Sequence, residues 1–294
     1  MRAQKSTKTA KTTDTATPFV KVENFGITFA GKTIIRDLSF EVQKGEIFGL
    51  LGSNGSGKTT TIRALLGLYE PDQGSLTIDG APFSPNTKRP RATSSQTANS
   101  PQKTHITVGY LPEERGLYKK ETVYDTMLYF AKLKRLKKPK IWIKNYLSRV
   151  GLADNLKSKV DQLSQGMQQK VQLGITIMNN PDLLILDEPT KGFDPVNRRL
   201  LMQIIHELHE KGTTIILITH YMDEVERLCD HILLLKDGIA HAYGTVKDVK
   251  SDFDLPTLDD IFLRVYGANT EHNHNFERIT DNLDQAPQKP KGDY

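Results

Sequence analysis

Apolar and polar positions roughly alternate over residues 19–42, first through FVKVEN and then through TIIRDLSFEV, around the turn Ala30-Gly31-Lys32. A period of two belongs to strands buried on one face, so this stretch predicts an antiparallel N-terminal pair. Residues 47–51 are apolar without a break and run into a glycine-rich segment, after which residues 60–68 read as a helix ending near Gly67. SLTIDG (75–80) reads as a strand and turn, and ITVGYLP (106–112) as a strand. From 122 to 155 the spacing becomes helical: Val123, Met127, Phe130 and Ala131 share one face, with 134–138 as a basic last turn suited to the helix dipole. Trp142, Tyr146 and Val150 mark a second such face, most simply the core of a helical subdomain. LSQGMQQKVQLGITIMNN (163–180) is a short turn followed by a helix, and another long helix follows GFDP (192–195) as far as Glu210.

Two runs, LLIL within 183–190 and IILI within 213–220, are continuously apolar and separated by that helix. Strands of this kind are covered on both faces, which predicts a parallel sheet. HILLLKDG and IAHAYG add two more strands, and LPTLDDIFLRVYG an amphipathic helix ending near Gly267. The expected fold is therefore α/β, with a mixed or parallel central sheet, antiparallel N-terminal strands and a helical subdomain over about 113–165.

The glycine-rich break carries the chemistry. IFGLLGSNGSGKTT fits G-x-x-x-x-G-K-[ST], with Gly52, Gly57, Lys58 and Thr59 at the fixed places and Ser53, Asn54, Gly55, Ser56 and Thr60 between and beside them. Glycines let the backbone curl so that successive N–H groups face phosphate oxygens, and the helix that follows adds its free amides and positive dipole end. In this motif the lysine reaches the β and γ phosphates and the threonine hydroxyl reaches Mg²⁺. Asp187 and Glu188 end a buried strand, where ligands of open α/β sheets gather, and paired acids there are costly without a metal or partner. The turn at Ser164-Gln165-Gly166 opens a helix and offers a second set of amides to an anion. Phe29, before the first turn, suits stacking on a purine and packing in the strand core equally.

Composition changes this picture little. The formal charge is +5 over 294 residues. Arg2, Lys5, Lys8 and Lys11 against Asp14, and Lys88, Arg89, Arg91 and Lys103 with no acid, more than account for it. The excess thus sits in a basic tail (1–17) and a polar insertion (81–105), and no nucleic-acid footprint is expected on the folded part. The tail and 268–294 are expected to be disordered and 81–105 to be a mobile surface insertion, leaving one domain over 18–267 that should tolerate loss of the insertion. No stretch of about 18 apolar residues exists, so no membrane span is expected. The single cysteine, Cys229, is read as a packed residue in a reducing compartment. His272 and His274 lack further ligands for a metal, and His206 and His209 read as a solvated helix face.

In order and spacing these motifs resemble the ATP-binding cassette ATPases, specifically the nucleotide-binding subunits of ABC transporters, over about residues 19–265. The resemblance implies a P-loop NTPase fold and Mg²⁺-dependent ATP hydrolysis. Gly52 to Thr59 looks like Walker A, 163–167 the signature, 183–188 Walker B, 192–195 the D-loop with Asp194, and His220 the switch histidine. Phe29 matches the adenine-stacking aromatic, and Glu113 falls where the family has a Q-loop glutamine. By that likeness Thr59, Asp187 and Glu113 serve the metal, Glu188 is the general base, and Ser164 and Gly166 face ATP held by a second subunit, identical or paralogous. A multi-span membrane permease is the implied partner, at the cytoplasmic face of the inner membrane. Gln165, Met167, Phe193 and Glu113 depart from the family pattern. GYLPEERGLY (109–118) looks like the branch that includes sodium-efflux and drug-efflux subunits. The rival is a soluble ABC ATPase acting on ribosomes or DNA, which usually carries two cassettes or a coiled-coil insertion that this chain lacks.

Overall fold

The computed structural model describes residues 17–82, 106–114 and 116–267. The expectations for the N-terminal tail, for all but the first two residues of the insertion, and for 268–294 with His272 and His274 lie outside the described residues.

β1 (Val20–Phe29) and β2 (Lys32–Val42) pair antiparallel, from Val20 opposite Val42 to Phe29 opposite Lys32. Ala30 and Gly31 turn the hairpin with positive φ at both, the conformation that matches strand twist. The chain enters a second sheet as β3 (Ile47–Leu51), passes through α1 (Lys58–Leu65), and returns to the first as β4 (Gln73–Ile78) and β5 (Ala81–Pro82). The first sheet has the order β2-β1-β4-β5.

The second sheet adds β6 (Val108–Leu111), β7 (Leu183–Asp187), β8 (Thr214–Ile218), β9 (His231–Lys236) and β10 (Ile239–Thr245), in the order β10-β9-β3-β8-β7-β6. Its pairings are parallel except β9 with β10. Successive residues of β7 and β8 face different cores. Leu183, Ile185, Ile216 and Ile218 pack against the antiparallel sheet and α1, whereas Leu184, Leu186, Ile215 and Leu217 pack against the remaining helices. That division is why the runs 183–186 and 215–218 are apolar without a break.

The helices on the second face are α2 (Val123–Leu133), α3 (Pro139–Arg149), α4 (Gln165–Ile177), α5 (Pro195–Glu210), α6 (Met222–Leu228), α7 (Val246–Phe253) and α8 (Leu258–Gly267). α2 stops earlier than its sequence suggests. Arg135 and Lys138 take positive φ, so 134–138 is a connector and not a basic last turn. Lys134 instead donates to Thr176 O (3.1 Å) and Asn179 Oδ1 (3.0 Å), placing its charge at the C-terminal end of α4, where that helix's dipole favours it. Among the described residues no helix is long and apolar enough to cross a membrane.

Candidate functional site

The loop between β3 and α1 has a shape that only its glycines permit. Gly57 has φ 109°, and a Cβ there would lie 2.3 Å from Ile35 Cδ1; on Gly52 it would lie 2.4 Å from Leu235 O. α1 starts with no side-chain cap and no acid in its first turn, leaving its leading amides free for an anion. From α8, Tyr266 braces the loop: its hydroxyl accepts from Ser53 N (3.0 Å) and donates to Leu235 O (2.5 Å).

Lys58 curls back over this loop and donates to Gly52 O (2.7 Å) and Ser53 O (2.9 Å). Burial lowers its pKa, while the charges of Glu188, Asp187 and Glu113 pull it back up. Lys58 thus faces three carboxylates. Burial, reinforced by Glu113 and Glu188, pushes the Asp187 carboxyl up to about 6 despite a hydrogen bond with Tyr110, whose own phenol burial pushes up to about 12. Glu188 takes φ 49° at the end of β7, where its amide donates to Ile218 O (2.8 Å), and its Oε2 lies 2.8 Å from His220 Nδ1. Such a backbone conformation is uncommon outside glycine and concentrates at functional sites. Glu113 pairs with Lys191 at 2.5 Å.

These groups line one cleft of ≈ 440 Å³: Asn54, Gly55, Gly57, Lys58, Thr59 and Thr60 from the loop and α1, then Asp187, Glu188, Glu113 and His220. Gly52, Ser53 and Ser56 belong to the loop beneath; Ser56 is buried, and its Oγ has no hydrogen-bond partner among the described residues. A buried carboxylate beside two others, facing the uncapped leading amides of α1 and a lysine, suits a divalent cation carried by a phosphate chain.

Four expected site residues lie outside this cleft. Phe29 is 39 % exposed and meets the edge of Tyr69 at 4.9 Å. Ser164 caps α4, accepting from Met167 N (3.2 Å), and Gly166 lies against Phe193. Asp194 caps α5, accepting from Val196 N (3.0 Å) and Asn197 N (2.9 Å). Sequence reasoning missed Lys32, Ile34 and Lys191 in the cleft wall, and Tyr110 and Tyr266 in its supports. No nucleotide-binding motif marks these residues, although Tyr110 stands in GYLPEERGLY.

The Asp187 carboxyl makes a testable statement about stability. Its folded pKa lies above the ordinary value of 3.8, so between about pH 4 and 6 the folded protein keeps a proton that the unfolded chain releases. Stability falls as pH rises through that window, by on the order of 2–3 kcal/mol, and the full cost is present at pH 7. Asp187→Asn is therefore expected to raise the melting temperature of the metal-free protein at pH 7 but not at pH 4. Equal shifts at both pH values would show that the cost is not that of a buried charge.

The parallel sheet, glycine-rich loop, lysine and strand-end acids define an α/β P-loop ATPase. Residues 35–191 match the ABC transporter family. The chain is 44 % identical over 234 residues to an uncharacterized ABC transporter ATP-binding protein of Methanocaldococcus jannaschii, covering 79 % of each. It is 36 % identical to the linearmycin resistance ATP-binding protein LnrL of Bacillus subtilis (85 % of this chain, 76 % of that protein). It is also 36 % identical to the Nod factor export ATP-binding protein I of Burkholderia lata (74 % and 67 %). A solved ATP-binding subunit of an ABC transporter superposes with a TM-score of 0.72 at 29 % identity, over 84 % of this chain and 98 % of that one. The chain belongs to the ABC transporter ATP-binding proteins, a family that binds and hydrolyses ATP.

Proposed function

We propose that this chain hydrolyses Mg-ATP by in-line attack of water and couples that reaction to export through a separate multi-span permease. The observation that carries the proposal is the meeting of Lys58, Thr59, Asp187, Glu188 and His220 in one cleft. Lys58 and the loop amides hold the phosphates, Lys58 trading its bonds to Gly52 O and Ser53 O for phosphate oxygens. Thr59 and Asp187, with Glu113 at the rim, would hold Mg²⁺. Mg²⁺ held there would supply charge neutralisation along the phosphate chain. Glu188 orients the attacking water and takes its proton, and His220, in contact with Glu188 at 2.8 Å, senses the γ phosphate. Here the protein supplies position and charge.

Ser164 and Gly166 open α4 and stand outside this chain's own cleft, as expected of residues that act on the ATP of a second subunit. Phe29, exposed near the rim strands, is assigned to the adenine. Tyr118 (53 % exposed) stacks on Phe130, Tyr129 (52 %) meets both rings edge-on, and together beside 113–118 they offer the permease an aromatic docking face. The chain would then sit peripherally on the cytoplasmic side of the membrane. Export is the direction favoured by the relatives named for export and drug resistance.

Purifying the tagged chain from detergent-solubilised membranes tests this reading. A multi-span protein should co-purify, and Tyr118→Ala with Tyr129→Ala should weaken its retention. Recovery with ribosomes or DNA, and no membrane protein, would favour the soluble rival.

A further inference from the structure

Glu224 on α6 is the most deeply buried carboxylate among the described residues, 3 % exposed against 6 % for Asp187. A buried carboxylate survives only with partners, and here they come from α5 and from the turns that follow Glu188 and precede His220. Arg198 on α5 donates through Nε to Glu224 Oε1, and its Nη2 lies 3.3 Å from Asp223. Thr190, two residues after Glu188, donates its hydroxyl to Glu224 Oε2 (3.3 Å), and Thr219, the residue before His220, approaches the same oxygen at 3.5 Å. The Arg198 guanidinium lies over the Tyr221 ring, 3.8 Å from its centroid. The Tyr221 and His220 rings are 4.2 Å apart, and Tyr221 N donates to Thr219 Oγ1 (3.1 Å). His220 meets Glu188, so the contacts close into a ring that runs Glu188, His220, Tyr221, Arg198, Glu224, Thr190 and back along the chain.

We infer that Arg198 and Glu224 are positioning residues of the ATPase site: their ion pair clamps the turn after Glu188 to the turn around His220, fixing the histidine against the carboxylate. Arg198 also stands four positions after Asp194, the cap of α5, so a displacement of the 192–195 turn is carried by one helical turn to the ring of His220. The inference rests on the roles given above to Glu188 and His220.

The same ion pair also holds α5 to α6, so the test must separate positioning from folding. In the full chain, Arg198→Met alone leaves Glu224 charged and buried and risks unfolding. The paired change Arg198→Met with Glu224→Gln removes both charges and keeps side chains of similar size. In that pair kcat is expected to fall about 10- to 100-fold, the scale of a displacement near 1 Å, while the affinity for a fluorescent ATP analogue stays within about 2-fold. Because pair and histidine act through one position, adding His220→Ala to the pair should cost less than about 3-fold more, although His220→Ala alone costs about 10-fold or more. Parent kcat in the pair, losses that multiply with His220→Ala, or a fall in ATP affinity that matches the fall in kcat would each overturn the inference. His220→Ala at parent turnover would overturn it as well, and would mark the failure as one of the proposed mechanism and not of the clamp alone.

Discussion

Lys58→Ala is expected to abolish hydrolysis and to weaken ATP binding about 10- to 150-fold, the worth of a charged hydrogen bond to phosphate at about 1.5 to 3 kcal/mol. The ammonium is half-withdrawn from water and already aimed along the loop, holding Gly52 O and Ser53 O. Little reorganisation is needed when those bonds pass to phosphate, and alanine has no atom that can make either set. The carboxylates of Asp187 and Glu188 then face the phosphates without that ammonium beside them, which adds repulsion to the lost bond. Isothermal titration with Mg-ATP and single-turnover hydrolysis measure the two effects separately. A variant with parent affinity and turnover would remove the assignment of this loop.

The order and type of most elements could be read from the chain, because burial writes itself into periodicity. β7 and β8 show it best: covered on both faces, they have no polar position to interrupt the apolar run. Elements with little burial left no such trace. α7 buries only Val249 and is defined by its cap, Thr245 accepting from Asp248 N, and the seven-residue α6 is too short for a period to emerge. The end of α2 was misread because a lysine run suits a helix C-terminus as well as a connector, and only the fold reveals that Lys134 reaches α4. At the site, a motif with fixed spacing located Lys58 and Thr59, and strand-end acids located Asp187 and Glu188. Lys191, Arg198 and Glu224 escaped because each depends on a partner distant in sequence, 78 residues away for Lys191 and 26 for the Arg198 pair. Glu113, which stands where the family has a glutamine, pairs with Lys191 across the rim. An acid at the rim that lacks an amide donor is matched by a cation across it.

Glu188→Gln is expected to lower turnover about 10²- to 10⁴-fold, the usual worth of a general base, while leaving ATP bound. Glutamine has the size of glutamate and can still hydrogen-bond a water, but it takes no proton at neutral pH. Lys58, Thr59 and Asp187 are untouched, and loss of a neighbouring negative charge eases the ionisation of Asp187, whose carboxyl Glu188 helps hold near 6. Binding of Mg-ATP should therefore be preserved or slightly tightened. If Ser164 and the start of α4 clamp the γ phosphate of a second subunit, blocked hydrolysis leaves the closed dimer populated with Mg-ATP and not with Mg-ADP. Adding Ser164→Arg should abolish that dimer by filling the phosphate site. The only local cost is the lost α4 cap, about 1 kcal/mol, and because Ser164 lies outside the chain's own cleft, ATP binding by the monomer persists. Sedimentation of the variants with each nucleotide separates these states, and turnover is measured on the chain assembled with the proposed membrane subunit. Parent-rate hydrolysis by Glu188→Gln in that complex would move the base elsewhere and take the proposed mechanism with it.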